Sequence, residues 1–399
     1  MCRLPHRYFL LSSLLWYAGC STQDDNPMIR QLLAEAEKQI APDRRTAVFD
    51  VAARLSGQTL TLKGEIQSTL IKDQLLQFLV SRTNYTIVDS LTFLPHPSLG
   101  EKTYGLVTVS VANGRTNPQN SAELSTQALL GTPLRILKKE SGWYYVQTPD
   151  EYLGWMDDGF VSMGKDEFDE WMRQPRVIVT EPYGFSYRSK EKREVVSDVV
   201  LGALFVKKRE VGALYEVLYP DGRVAFIPKE IAQPYEKWIT SAKDTPENIL
   251  RTARRFFGIP YLWGGTSSKG FDCSGFTKTV FYFNGIMLPR DASQQAHIGE
   301  FIDAGTDFKN VKAGDLLFFG TRAEGDTKER VRHVGIYLND GKFIHASGDV
   351  RVNSLNPSDP DFSEYRRKTF LRVKRIIGAG ESTGVRRLID LPYYNVNEF

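Results

Sequence analysis

Cysteine and histidine are the residues here that could do covalent chemistry, and both are scarce. The 399-residue chain has three cysteines, Cys2, Cys20 and Cys273, and five histidines. Cys273 sits where the loop Ser267-Ser-Lys-Gly-Phe-Asp272 gives way to the helical apolar spacing of residues 273–283. A thiol at a helix N-terminus feels the positive end of the helix dipole and unpaired backbone donors. A lowered thiol pKa is therefore expected, with Asp272 as the helix cap. The same N–H groups could hold a developing oxyanion. The competing reading is a small buried core cysteine.

A thiolate nucleophile needs a base. His96 lies between prolines and reads as a surface loop residue, and His297 reads as a solvated helix residue. His333 and His345 stand twelve residues apart in two strand-like runs separated by Asn339-Asp340-Gly341. A three-residue hairpin loop ending in Gly would pair Leu338 with Lys342, set His333 opposite Ser347 and place both imidazoles on one sheet face. A two-residue loop would put them on opposite faces. In the first arrangement one histidine activates the thiol and the other orients it. Zinc would need a third ligand; Cys273 could serve, but no CxxC or HExxH spacing is present, so neither a metal nor a cofactor is expected.

The elements that must position these groups fall into several domains, as the length requires. Hydrophobic residues make up 41% and charged residues 25%, as in globular proteins. The 51 basic and 48 acidic residues nearly cancel. No long single-sign block appears, and no nucleic-acid partner is expected. Arg3 and Arg7 precede an apolar run from Tyr8 to Gly19, which reads as a secretory signal over residues 1–20. No other stretch is apolar enough to span a bilayer. Residues 21–103 read as a small α+β region without chemistry. Residues 104–163 and 176–235 read as two related small β modules with short strands and turn punctuation. Residues 245–380 place helices before antiparallel strands, an α+β layout, and residues 381–399 form a C-terminal tail.

Ala18-Gly19-Cys20 resembles a bacterial lipobox, although Tyr17 stands where leucine is usual. The resemblance implies lipidation of Cys20, an exported protein held at the membrane by its lipid alone, and Cys273 as a lone thiol without a disulfide partner. The series Gly258-x-Pro-Tyr-x-Trp-Gly-Gly265, Phe271-Asp-Cys-Ser-Gly-Phe276, Leu288-Pro-Arg-Asp-Ala-Ser-Gln-Gln295, Ala313-Gly-Asp-Leu-Leu-Phe-Phe319, His333-Val-Gly-Ile-Tyr337 and Phe343-Ile-His-Ala346 resembles the NlpC/P60 peptidases over about residues 245–376. That resemblance implies a papain-like α+β fold, Cys273 as nucleophile, His333 as base, His345 as the third polar residue and Tyr261 in the oxyanion hole. The two β modules resemble bacterial SH3 barrels, the arrangement of γ-D-glutamyl-L-diamino acid endopeptidases. It implies peptidoglycan peptides of the L-Ala-γ-D-Glu-diamino acid type as partners, with Glu123 and Tyr152 of the first module holding a free L-Ala amine. Asp272, Ser274 and Asp291 match substrate-lining positions; Ala292 stands where some relatives have serine, leaving Ser293 to supply that hydrogen bond. Beside this stand a broader cell-wall hydrolase or amidase, a wall-binding lipoprotein with little activity, and an acyltransferase.

Overall fold

The computed structural model describes residues 26–395. The expected signal segment and Cys20 lie outside them. The described chain forms two compact units. The smaller holds the chain up to Pro42 and Val48–Phe93, and the larger holds Asp43–Ala47 and everything from Leu94 onward.

In the smaller unit, helix Pro27–Ile40 precedes an antiparallel pair, Phe49–Ser56 and Thr59–Ile66. Helix Thr69–Arg82 then crosses over to Thr86–Phe93, which pairs parallel with the second strand. Leu60, Leu62, Leu75 and Leu79 fill its centre. This is the α+β unit the alternating and helical runs foretell.

The larger unit begins with two seven-stranded antiparallel sheets, one built from Tyr104 to Met163 and one from Arg176 to Pro234. Among the described residues neither hydrogen-bond ladder closes on itself: each sheet keeps two edges, so the modules are SH3-like sheets rather than closed barrels. The second has its own core of Val177, Phe205, Val217, Ala225 and Ile227, into which Leu130 of the first also inserts.

The last domain sets helix Cys273–Phe283 against a six-stranded antiparallel sheet. Along Leu316–Thr321 successive side chains serve different clusters: Leu316 and Phe318 pack with the helix residues Phe276 and Val280, and Leu317 and Phe319 pack with Tyr337 and Phe343. That period-two alternation explains why the strand reads as a continuous apolar run: both faces are covered. Two short strands, Glu300–Ile302 and Asp349–Ser354, carry charged residues and escaped the sequence pattern. Residues 381–395 pack rather than trail away. Leu388 and Tyr394 are buried in a cluster with Trp238, and Tyr235 Oη donates to the Tyr394 carbonyl at 2.7 Å.

Candidate active site

Cys273 is the first residue of its helix, so its own N–H has no intrahelical acceptor. Asp272 caps the helix as expected, its Oδ1 accepting from Gly275 N at 2.7 Å. The expected low thiol pKa is corrected. Burial pushes the thiol up to about 11, the nearby Asp272 carboxylate adds to this, and hydrogen bonds from the Val334 and Ser274 amides only partly oppose it. Desolvation outweighs the helix dipole because Cys273 is only 7% exposed and packs in the apolar cluster of Phe271 and Phe276. The Val334 hydrogen bond sets the sulfur against the strand that carries His333.

The histidine hairpin has the expected facing by a different route. Lys342 pairs with Asn339, not Leu338, so the turn has two residues, Asp340 and Gly341, both with positive φ. A register shift between Tyr337 and Asn339 absorbs Leu338 as a bulge. The bulge restores the phase that a two-residue turn alone would reverse: Ile336 pairs with Ile344, so His345 lies beside Gly335, on the face that carries His333. The imidazoles meet, His333 Nε2 to His345 Nδ1 at 2.7 Å.

A fixed amide sets their tautomers. Asn353 Nδ2 donates to the Asp361 carbonyl at 3.1 Å, which turns Asn353 Oδ1 toward His345 Nε2 at 2.9 Å. His345 must donate from Nε2, so its Nδ1 accepts from His333 Nε2. His333 Nδ1 is then left unprotonated, the form a base needs. Burial holds the His333 pKa well below 6.5, and burial brings His345 down to about 4. Burial thus favours the uncharged form of the thiol and of both imidazoles. Asn353 escaped the sequence reading because it lies on the missed strand Asp349–Ser354. Gly335 explains the His-Val-Gly spacing: a Cβ there would meet Phe343 at 2.8 Å and His345 Cβ at 3.2 Å.

Tyr261 is half-buried against the apolar cluster that includes Cys273; burial raises its pKa, and the charge of an ionised sulfur adds to this. Its hydroxyl has no protein hydrogen-bond partner among the described residues. The backbone N–H donates to Gly348 O at 2.8 Å and fixes the loop. Asp272 and Ser274 are buried behind the nucleophile. Asp272 Oδ2 accepts from Arg290 Nη2 at 2.5 Å and Gly264 N at 3.1 Å, while Arg290 Nη1 donates to Ser274 Oγ at 3.1 Å. Their polar atoms are occupied by one another and by Arg290.

The first β module touches this domain through Gln127 at Thr266 and Asp150 at Lys278, and also through both of the residues expected to hold an amine. Tyr152 Oη donates to Asp291 Oδ2 at 3.0 Å. Trp263 Nε1 donates to Glu123 Oε1 at 2.6 Å, which leaves Oε2 of this exposed acid without a partner among the described residues. Ala292 is buried and brings no polar atom. Ser293 Oγ accepts from Arg45 Nη1 at 2.8 Å. Arg45 is the residue the sequence reading missed most plainly. The same Nη1 lies 2.7 Å from Asp291 Oδ2, while Nε and Nη2 grip Asp43 at 2.8 and 2.7 Å. Leu153 N donates to Arg45 O at 2.8 Å, locking the Asp43–Ala47 segment beside Tyr152. Nothing local in the sequence marks a residue that meets its partner 246 positions away.

Comparison with known proteins agrees with this geometry. Residues 258–373 match the NlpC/P60 family model, and residues 114–159 match the bacterial dipeptidyl-peptidase SH3 domain. A γ-D-glutamyl-L-lysine dipeptidyl-peptidase of Bacillus cereus is 32% identical over 248 residues, 59% of this chain and 72% of that protein. The enzyme of the same name from Bacillus subtilis is 33% identical over 56% of this chain and 72% of its own length. The crystal structure of an NlpC/P60 family protein from Bacillus cereus superposes with a TM-score of 0.59 at 26% identity, covering 68% of this chain and 99% of the other.

Proposed function

This chain belongs to the NlpC/P60 family of cysteine peptidases, and from that premise we propose that it cuts γ-D-glutamyl–diamino acid bonds in peptidoglycan peptides whose N-terminal L-Ala is free. Its relatives carry the name of γ-D-glutamyl-L-lysine dipeptidyl-peptidases. The relatives support the reaction, and the residues around Glu123 and Tyr152, the head of the proposed cleft, support the choice of substrate. The carrying observation is that Glu123 and Tyr152, from the SH3-like module, are each held by a loop of the catalytic domain, at Trp263 and Asp291. Glu123 Oε2 and the spare lone pair on Tyr152 Oη are the acceptors an alanine ammonium requires when it leaves water.

The chemistry follows from the uncharged forms that burial favours. His333 Nδ1 takes the thiol proton as Sγ bonds to the γ-carbonyl carbon. The Cys273 N–H and the Tyr261 hydroxyl receive the oxyanion. The C–N bond breaks as the imidazolium returns its proton to the leaving amine, and water, activated by the same imidazole, hydrolyses the thioester. Cys273→Ala should abolish hydrolysis. The wild-type protein should cut L-Ala-γ-D-Glu-L-Lys far faster than its N-acetyl form or intact sacculi. Equal rates on free and N-acetylated peptide would remove the amine clamp.

The lipobox-like Ala18-Gly19-Cys20 supports an exported lipoprotein, with the membrane touched through the lipid. Incorporation of labelled palmitate, lost in Cys20→Ser, tests it; no label in the unaltered protein would refute it. Among the described residues no helix is long and apolar enough to cross a membrane.

A further inference from the structure

Arg366 is a cation on the histidine side of the site with no acid to neutralise it among the described residues. It projects from the short helix Glu364–Thr369, half-buried. Its guanidinium stands 5.7 Å from the Phe319 ring centroid, and that ring lies 5.9 Å from the His333 ring. One side-chain hydrogen bond is formed, from Nη2 to Ser347 Oγ at 3.3 Å, two residues beyond His345 in the same strand. Among the described residues no carboxylate pairs with it. The nearby acids are engaged elsewhere: Asp349 with Arg351 at 2.5 Å and Glu364 with Lys368 at 2.7 Å. Its charge is nevertheless felt at the centre, by Tyr261, His333 and His345, while the sulfur's charge is felt at Arg366.

A partly desolvated guanidinium with one weak hydrogen bond retains four N–H donors and an uncompensated charge, which is costly unless a ligand supplies an anion. The position says which anion. Arg366 is attached to the histidine sheet, whereas the acids proposed to hold the L-Ala amine stand with Asp291 and Trp263. The imidazole must deliver its proton to the leaving amine, so the leaving residue lies on the histidine side of the sulfur. We propose that Arg366 binds a carboxylate of the leaving diamino acid and so selects peptides that end at, or carry a free carboxylate on, that residue. This rests on the reading of the substrate given above. It makes the cleft dipolar, acidic where the peptide's ammonium enters and basic where its carboxylate lies.

The test pairs an edit in the enzyme with an edit in the substrate, using the whole protein. L-Ala-γ-D-Glu-L-Lys and its C-terminal carboxamide are compared in wild type, Arg366→Ala and Arg366→Lys, with L-Ala-γ-D-isoglutaminyl-L-Lys as a third substrate. Wild type should prefer the free acid to the carboxamide about 10-fold in kcat/KM, largely through KM. Arg366→Ala should lose that preference, cutting acid and carboxamide with equal kcat/KM, and Arg366→Lys should regain part of it. A structural role would slow both substrates alike and leave the preference intact, which would overturn the proposal. So would a wild type indifferent to the C-terminal carboxylate, or a preference in Arg366→Ala that changes only between the glutamyl and isoglutaminyl peptides. If wild type cuts none of the three, the substrate reading itself fails and the inference with it.

Discussion

The two ends of the cleft handle charge in opposite ways. At the head, Asp43 and Asp291 engage Arg45, Asp272 engages Arg290, and Glu123 accepts from Trp263. At the tail stands Arg366 with two aromatic rings, Phe319 and Tyr365, and a single hydroxyl for company. The head is assembled from three stretches far apart in sequence and tied by hydrogen bonds; the tail is one side chain on a six-residue helix. On the proposed reading the ammonium meets a preformed site, its cost met in folding, and the carboxylate meets a single side chain.

The largest expected effect comes from breaking the head. Gly264 has φ +77, and a Cβ there would lie 2.2 Å from the Leu124 backbone oxygen, next to Glu123. Gly264→Ala must push the first module away. A displacement of this kind costs on the order of 100-fold in kcat/KM, and here the loss should fall on free-amine peptides, so that the ratio to N-acetyl peptide collapses. A retained ratio would mean the head is not set by that contact. Between the ends, Asn353→Ala releases the tautomer lock. We expect kcat to fall roughly 10- to 30-fold with KM nearly constant, equally for every peptide, which separates the centre from both ends. A KM effect would assign Asn353 to binding instead.

Glu123→Gln keeps the Trp263 hydrogen bond and removes only the charge. A loss of about 10-fold on the free-amine peptide, without change on the N-acetyl form or in Tm, would confine that acid to the head. Smallest is the pH response of the centre. His333 and His345 have depressed folded pKa values, so between about 4 and 6.5 the unfolded chain binds more protons, and stability should fall as pH drops through that window. The thiol, raised from 9.0 to about 11, keeps its proton in the fold while the unfolded chain loses it, so stability should also fall from 9 to 11. Denaturant midpoints across pH check both limbs: a shallower fall between pH 9 and 10 in Cys273→Ala would assign the thiol's share, while buried tyrosines such as Tyr261 and Tyr282 carry the limb on above pH 10.

The centre was the legible part of this molecule. Cys273, His333, His345 and the capping Asp272 lie in short motifs whose local geometry does the positioning, and a hairpin fixes its own facing. Even there the pairing was reached through a bulge at Leu338, which no turn rule anticipates. The thiol's pKa went the other way because helix dipoles are local and visible in sequence, while desolvation depends on Phe271 and Phe276 closing over it. Arg45, Asn353 and Arg366 were illegible for one reason: each acts through a partner brought near by tertiary structure, and an arginine or asparagine in a polar stretch resembles every other. The α+β unit of residues 27–93 was read correctly as elements, and no chemistry was read there; its neighbouring stretch Asp43–Ala47 nonetheless supplies an arginine to the cleft.

The third member of the catalytic relay is backed by a neutral amide, where a carboxylate would have pre-charged the pair. A protonated imidazole in this pocket has nothing permanent to lean on except the sulfur that gave up its proton. Burial favours the uncharged form of both groups, so a thiol-directed alkylating agent should react slowly with the free protein and faster as pH rises above 9.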